Sequence, residues 1–246
     1  MRFLTGGIGF FDSGIGGLTV LSACRKKLGG TFYYYGDNAN APYGNRSEEE
    51  IRAYVFQAFK EFSALKVRAA VLACNTATAV CVEELRKKYP FPIVGAEPAV
   101  KPAAKKGGEV FVLTTRATSE SKRFQNLLSK LSLRYPEAKL KAFACDALAG
   151  EIEKHVTDST FDYASYLPKG TPNAVVLGCT HYIYIRKSVE DFYRCKVYDG
   201  NEGIADRLSM LLKEQTIQET SQIFFLGSGE KVNQTLYERM FAEKSF

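Results

Sequence analysis

Two segments of this chain of 246 residues spell one local architecture twice. Arg68-Ala69-Ala70-Val71-Leu72-Ala73 runs into Cys74-Asn75-Thr76, and Asn173-Ala174-Val175-Val176-Leu177-Gly178 runs into Cys179-Thr180-His181. Each apolar run is short enough for a buried strand and is followed by the polar residues of a tight turn and a helix start. A cysteine stands at the carboxyl end of each run. The two lie in different halves of the chain, so the pattern is an internal repeat rather than a local metal loop. Two thiols facing one cleft suit a reaction that handles a proton on either face of the same carbon.

The rest of the chain alternates in the same way. Strands are predicted at Ile8 to Phe11, Thr31 to Tyr35, Ala69 to Ala73 and Pro92 to Gly95. A second series follows at Glu109 to Leu113, Leu140 to Phe143, Ala174 to Leu177 and Lys196 to Tyr198, with a last strand at Ile223 to Leu226. Ser47-Glu48-Glu49-Glu50 is a capping box. The helix it opens carries Ile51, Tyr54, Val55, Ala58, Phe59, Phe62 and Leu65 at spacings of three and four. Further helices are predicted over Ser119 to Leu131 and Glu230 to Phe241. Strands alternating with helices imply βαβ units and parallel sheets.

The count fits two sheets, with a Pro-rich crossover at Glu97 to Pro102 and a return near Asn201 to Arg207. The fold class is therefore α/β, with two pseudosymmetric domains, each a mainly parallel sheet flanked by helices. The division is 1–97 plus 208–246 for the Cys74 side and 98–207 for the Cys179 side. Ligands of open α/β sheets bind outside the carboxyl ends of strands, which puts both cysteine motifs in one interdomain cleft.

Composition narrows the function. Hydrophobic content of 46% with 24% charged residues is that of an ordinary globular protein. No apolar run reaches the roughly 18 to 20 residues of a membrane helix. The opening Met1-Arg2-Phe3-Leu4 leaves no room for a signal peptide, so a cytoplasmic location is expected, with no membrane partner. The formal net charge of +6 comes from short clusters such as Arg25-Lys26-Lys27 and Arg86-Lys87-Lys88. These fall at helix ends, where cations offset the macrodipole, so they read as solvated surface rather than a nucleic-acid site. Six cysteines without a C-x-x-C pair, and only two histidines, argue against structural zinc. Cys24, Cys81, Cys145 and Cys195 read as small buried hydrophobes.

Four constellations carry chemistry. Phe10 to Leu18 holds Asp12-Ser13-Gly14-Ile15-Gly16-Gly17. A dinucleotide loop would need a glycine where Thr19 stands. The glycines instead free backbone N–H groups at a helix start, a natural carboxylate site. Asp37 to Gly44 forms a polar loop at the carboxyl edge of the second strand. Cys74 and Cys179 are the remaining two, each expected at a helix N-terminus, where a thiol pKa falls. His181 stands two residues past Cys179, and Asn75, Thr76 and Thr180 offer neutral groups for an amino-acid carboxylate. No lysine marks a Schiff base and no carboxylate cluster marks a metal, so the chemistry is expected to need neither metal nor cofactor.

The motifs Phe11 to Leu18 (FDSGIGGL), Asp37 to Gly44 (DNANAPYG), Ala73 to Ala77 (ACNTA) and Gly178 to Tyr182 (GCTHY) together resemble the glutamate racemases of the aspartate/glutamate racemase superfamily. Weaker agreement extends to Pro98 to Pro102, Thr114 to Thr118 and Tyr198-Asp199. The resemblance implies cofactor-free, two-base interconversion of L- and D-glutamate for bacterial peptidoglycan, and allows a homodimer. It implies Cys74 and Cys179 as the catalytic thiols, Cys74 acting on D-glutamate and Cys179 on L-glutamate. Asp12 would assist Cys74, and His181 would assist Cys179. Asp12, Ser13, Tyr43, Gly44, Asn75, Thr76, Thr180 and His181 would contact substrate, and Glu151 would be a carboxylate near the second thiol.

The chain departs from the pattern at Ile183-Tyr184-Ile185, where the family usually has a proline after GCTHY, and at Glu97, where many members are apolar. An aspartate racemase, a non-catalytic amino-acid-binding protein and a redox-sensing thiol protein are the alternatives that the residues leave open.

Overall fold

The structure, a computed structural model, describes residues 6–213 and 221–228, together with Tyr237, Glu238 and Met240. The elements in chain order are β1 (Ile8–Asp12), α1 (Gly17–Arg25), β2 (Gly30–Gly36), α2 (Glu48–Ala64), β3 (Ala69–Leu72), α3 (Asn75–Lys88), β4 (Ile93–Gly95), α4 (Val100–Ala104) and β5 (Gly108–Thr114). They continue with α5 (Arg116–Glu120), α6 (Lys122–Arg134), β6 (Ala138–Ala144), α7 (Leu148–His155), β7 (Ala174–Leu177), α8 (Arg186–Tyr193), β8 (Lys196–Tyr198), α9 (Asn201–Leu212) and β9 (Ser221–Gly227).

Two parallel sheets result. The first runs β4-β3-β1-β2-β9 and the second β8-β7-β5-β6. With β9 set aside, β1, β2, β3 and β4 correspond to β5, β6, β7 and β8, so the repeat extends from two motifs to whole sheets. Even the exits match: the Ala73 amide donates to Phe11 O at 2.8 Å, and the Gly178 amide to Leu113 O at 2.7 Å. Each cysteine therefore leaves its sheet at the same point, beside the end of the central strand.

Alternating residues of each strand feed opposite faces, because strand side chains have period two. Ile8, Phe10, Phe32 and Tyr34 pack with α1 and α9, whereas Phe11, Tyr35 and Leu72 pack with α2 and α3. In the second sheet Phe111, Leu113, Val175 and Leu177 face α7 and α8, and Val110, Val112 and Val176 face α4 and α6. Each fully buried Phe or Leu contributes roughly 1.5–3 kcal/mol. The Ser47 capping box forms in both directions: Glu50 N–H donates to Ser47 Oγ at 3.2 Å, and Ser47 N–H to Glu50 Oε2 at 2.9 Å. Five of the seven apolar positions expected on α2 are buried (Ile51, Val55, Ala58, Phe59 and Phe62); Tyr54 is half-buried, and Leu65 lies past the helix end, exposed.

Two sequence expectations change. The helix over Ser119 to Leu131 is two helices, because Ser121 is extended (φ −65°, ψ 137°) and its hydroxyl caps α6 by accepting from Phe124 N–H at 3.2 Å. The return crossover comes before Asn201. Ile204, Ala205 and Leu208 all sit in the core of the first sheet, and Lys27 pairs with Glu202 and Asp206 at 2.6 Å each. Residues 201–207, assigned by sequence to the second domain, thus pack with the first, since one helix presents one buried stripe. Apart from Tyr237, Glu238 and Met240, the helix expected over Glu230 to Phe241 lies outside the described residues; Tyr237 and Met240 are buried against the first sheet.

Candidate active site

The carboxyl ends of the two sheets meet at the Gly14–Gly17 loop. Asp12, the last residue of β1, is completely buried. Its Oδ1 accepts from Gly14 N–H at 3.0 Å, and its Oδ2 accepts from the Thr180 hydroxyl of the other domain at 3.1 Å. Burial pushes its carboxyl up to about 6, while His181, the Gly14 amide and Thr180 pull it down. A Cβ on Gly16 would overlap Thr180 Oγ1 and the His181 amide, and one on Gly14 would overlap the Glu153 carboxylate. These glycines are what let the second domain approach so closely.

Cys74 is the N-cap of α3. Ala77 N–H donates to its sulfur at 3.5 Å, and the thiol donates to Ser13 Oγ at 3.6 Å. Sequence reasoning expects such a thiol to be lowered. In the structure burial pushes it up to about 12, with the Asp12 carboxylate acting in the same direction. The helix-end N–H and Ser13 oppose this and lose, because one partial charge does not replace the lost hydration of a thiolate.

Cys179 does not cap an α-helix. A 3₁₀ turn, Thr180–Ile185, intervenes before α8. It is held to the second sheet by the buried Tyr182 hydroxyl, which donates to Cys145 O at 3.0 Å and Thr114 O at 3.3 Å. The partner of Cys179 is an imidazole: His181 Nδ1 lies 3.9 Å from the sulfur, and His181 Nε2 lies 2.6 Å from Glu153 Oε2. Burial lowers the His181 pKa, but Glu153 and the Cys179 sulfur outweigh it and hold the ring well above its ordinary value. Carboxylate, imidazolium and sulfur form a line. The two thiols are close enough that negative charge on Cys179 helps to raise Cys74.

Sequence reasoning missed Glu153. It singled out Glu151, whose carboxylate pairs instead with Lys154 at 2.8 Å and lies 3.7 Å from His155. Residues two apart on an α-helix point roughly 200° apart, so only one of the two can face His181. Buried Leu148, Ala149 and Ile152 mark the inner face of α7, and both glutamates flank it, so the sequence alone does not choose between them.

The remaining sequence-predicted residues fall around the same point. Tyr43 is buried, donates its hydroxyl to Asp37, and has its phenol raised by burial and Asp37, with Cys74 and Asp12 adding to the effect. Asn75 and Thr76 open α3, nearly buried. Thr76 Oγ1 lies 2.9 Å from Thr115 Oγ1 and 3.5 Å from Thr118 Oγ1, both in the second domain. Gly44 also faces Thr115. Neither Thr115 nor Thr118 was singled out, although both lie in the Thr114 to Thr118 motif. Glu97 pairs with Arg123 of α6, which also holds Glu83 of α3 at 2.8 Å, an ion-pair strap across the crossover. Cys24, Cys81 and Cys145 are buried and Cys195 is partly exposed, all free thiols. Among the described residues there is no metal-binding cluster and no helix long and apolar enough to cross a membrane.

Residues 19–208 match the Asp/Glu/Hydantoin racemase family. The chain belongs to that family. Its relatives include a glutamate racemase of Clostridium botulinum, 37% identical over 85% of both chains. Another is glutamate racemase 2 of Bacillus subtilis, 37% identical over 95% of this chain and 94% of the relative. Among solved structures, Escherichia coli glutamate racemase in complex with L-glutamate and the activator UDP-MurNAc-Ala superposes with a TM-score of 0.82 at 26% identity, covering 97% of this chain and 94% of that one. A Bacillus anthracis glutamate racemase isoform also gives 0.82, at 27% identity over 98% and 95%.

Proposed function

We propose that this chain is a glutamate racemase that moves the α-proton of glutamate between two thiols without a cofactor, supplying D-glutamate for bacterial peptidoglycan. The observation that carries the reading is the pair of buried cysteines at matching exits of two repeated sheets, Cys179 beside the His181–Glu153 pair and Cys74 beside Ser13. Relatives named glutamate racemase over most of the chain support glutamate as substrate.

With L-glutamate bound, Cys179 as thiolate takes the α-proton, with His181 beside it to balance the negative charge. Cys74, a thiol pushed up to about 12 by burial, returns a proton to the opposite face. In reverse Cys74 must ionise. The substrate ammonium beside Asp12 adds a positive charge on the Cys74 side, and an opposite charge nearby favours the ionised form. Ser13, Asn75, Thr76 and Thr180, together with Thr115 and Thr118, give neutral donors for the substrate carboxylates. Their fixed hydrogen bonds in a dry site stabilise the carbanion-like state. Glu153 keeps His181 cationic, and no such role falls to Glu151. A soluble amino-acid substrate and free thiols fit a cytoplasmic setting.

The test is chiral chromatography of L-glutamate and L-aspartate after incubation with purified, reduced protein. D-glutamate formation without D-aspartate is expected. Turnover of aspartate alone would refute the glutamate reading.

A further inference from the structure

Cys74 and Cys179 are 5% and 7% exposed, and Asp12 is wholly enclosed. A substrate the size of glutamate reaches them only if the two domains part, so whatever bridges the domains sets the opening equilibrium. The Gly14–Gly17 loop between them has one bulky side chain, Ile15, and is gripped through its backbone. Tyr34, on β2 of the same domain, donates its hydroxyl to Gly14 O at 2.7 Å. Tyr184, from the 3₁₀ turn of the other domain, donates to the next carbonyl, Ile15 O, at 2.8 Å. The Tyr184 ring packs against the cores of both sheets. Burial, with Asp12 and Glu153 nearby, keeps this phenol protonated and therefore a donor.

We propose that Tyr184 is a positioning residue: its hydroxyl ties the second domain to the Ile15 carbonyl and holds the closed arrangement in which the Asp12–Ser13 segment meets Cys74 on one side and Thr180 on the other. The two phenols divide the work. Tyr34 fixes the loop to its own sheet, whereas Tyr184 fixes the neighbouring domain to the loop. Of these two phenol bonds, opening exchanges the second for water and leaves the first intact. Its kinetic consequence rests on the racemase reading; its structural consequence does not.

The test compares Tyr184→Phe with Tyr34→Phe in two assays. One follows iodoacetamide labelling of Cys74 and Cys179 by peptide mass mapping without substrate, and the other follows glutamate racemisation. Loss of one neutral hydrogen bond commands roughly a three- to tenfold change in an equilibrium. Tyr184→Phe should speed labelling of both thiols by that factor and raise KM for both enantiomers similarly, with kcat within about twofold. Tyr34→Phe should leave labelling of Cys179 near wild type. Unchanged labelling in Tyr184→Phe, or equal acceleration in both variants, overturns the proposal. A wild-type protein silent on glutamate counts against the racemase reading, while the labelling ratio still decides the bridge. Should Tyr184→Phe not fold, hydrogen exchange of the wild type decides: amides of 13–17 and 180–185 exchanging as one unit support it, and independent exchange overturns it.

Discussion

Replacing Asp12 with Asn should stabilise the protein at neutral pH while abolishing its activity. Asp12 is completely buried, and its carboxyl is pushed up from 3.8 to about 6. A carboxyl whose folded pKa lies above its unfolded value favours folding below the unfolded pKa, and that advantage is lost as pH rises through the folded one. The ionised form therefore weighs on the fold above about pH 6. At about 1.36 kcal/mol per unit, the shift corresponds to roughly 3 kcal/mol at pH 8. Asn can keep both neighbours: its carbonyl accepts from Gly14 N–H, and its amide donates to Thr180 Oγ1. In a chain of this size, 1 kcal/mol moves Tm by about 2–4 °C, so Asp12→Asn should melt about 6–12 °C above wild type at pH 8. The gap should shrink between pH 6 and 4 and vanish below. Calorimetry across that range measures it. An Asn variant that melts below wild type at pH 8 would refute the claim that an ionised Asp12 carries a net burial cost, and with it the idea that the substrate ammonium relieves that cost.

Three further outcomes follow from the same geometry. If Asp12 works as a carboxylate, kcat/KM should fall below about pH 6, roughly tenfold per unit, as a pH–rate profile would show; activity flat down to pH 5 would remove Asp12 from the mechanism. Glu153→Gln takes away the charge 2.6 Å from His181 and should lower activity by roughly 10- to 100-fold and move the His181 NMR titration to lower pH. Glu151→Gln should change neither, and equal effects would mean that the carboxylate–imidazole line is not used. Thr76→Val cuts the hydroxyl bridge to Thr115 and Thr118 and should raise KM by roughly tenfold, the scale of one or two neutral hydrogen bonds; an unchanged KM would detach those hydroxyls from binding.

The sheets were legible because buried parallel strands are short apolar runs with abrupt polar ends. Ala69 to Leu72 and Ala174 to Leu177 were read within a residue of their true limits. Cys74, Cys179, Asp12 and His181 could be nominated because α/β proteins bind ligands at strand exits, and the structure brings all four together there. Glu153 was not, because choosing between two glutamates two residues apart needs the rotation of α7, which tertiary packing decides. The sign of the Cys74 shift was missed for a similar reason: sequence shows the helix end but not the enclosure that outweighs it. The α5–α6 break at Ser121 turned on a hydroxyl capping rather than continuing a helix.

The central claim, that two thiols pass one proton without help, is tested most directly by proton NMR in heavy water with L-glutamate and no added cofactor. Wild type should lose the α-proton signal as D-glutamate accumulates. Cys74→Ser and Cys179→Ser should each lose at least about a hundredfold of racemisation in both directions. Full racemisation by either single variant would contradict the account.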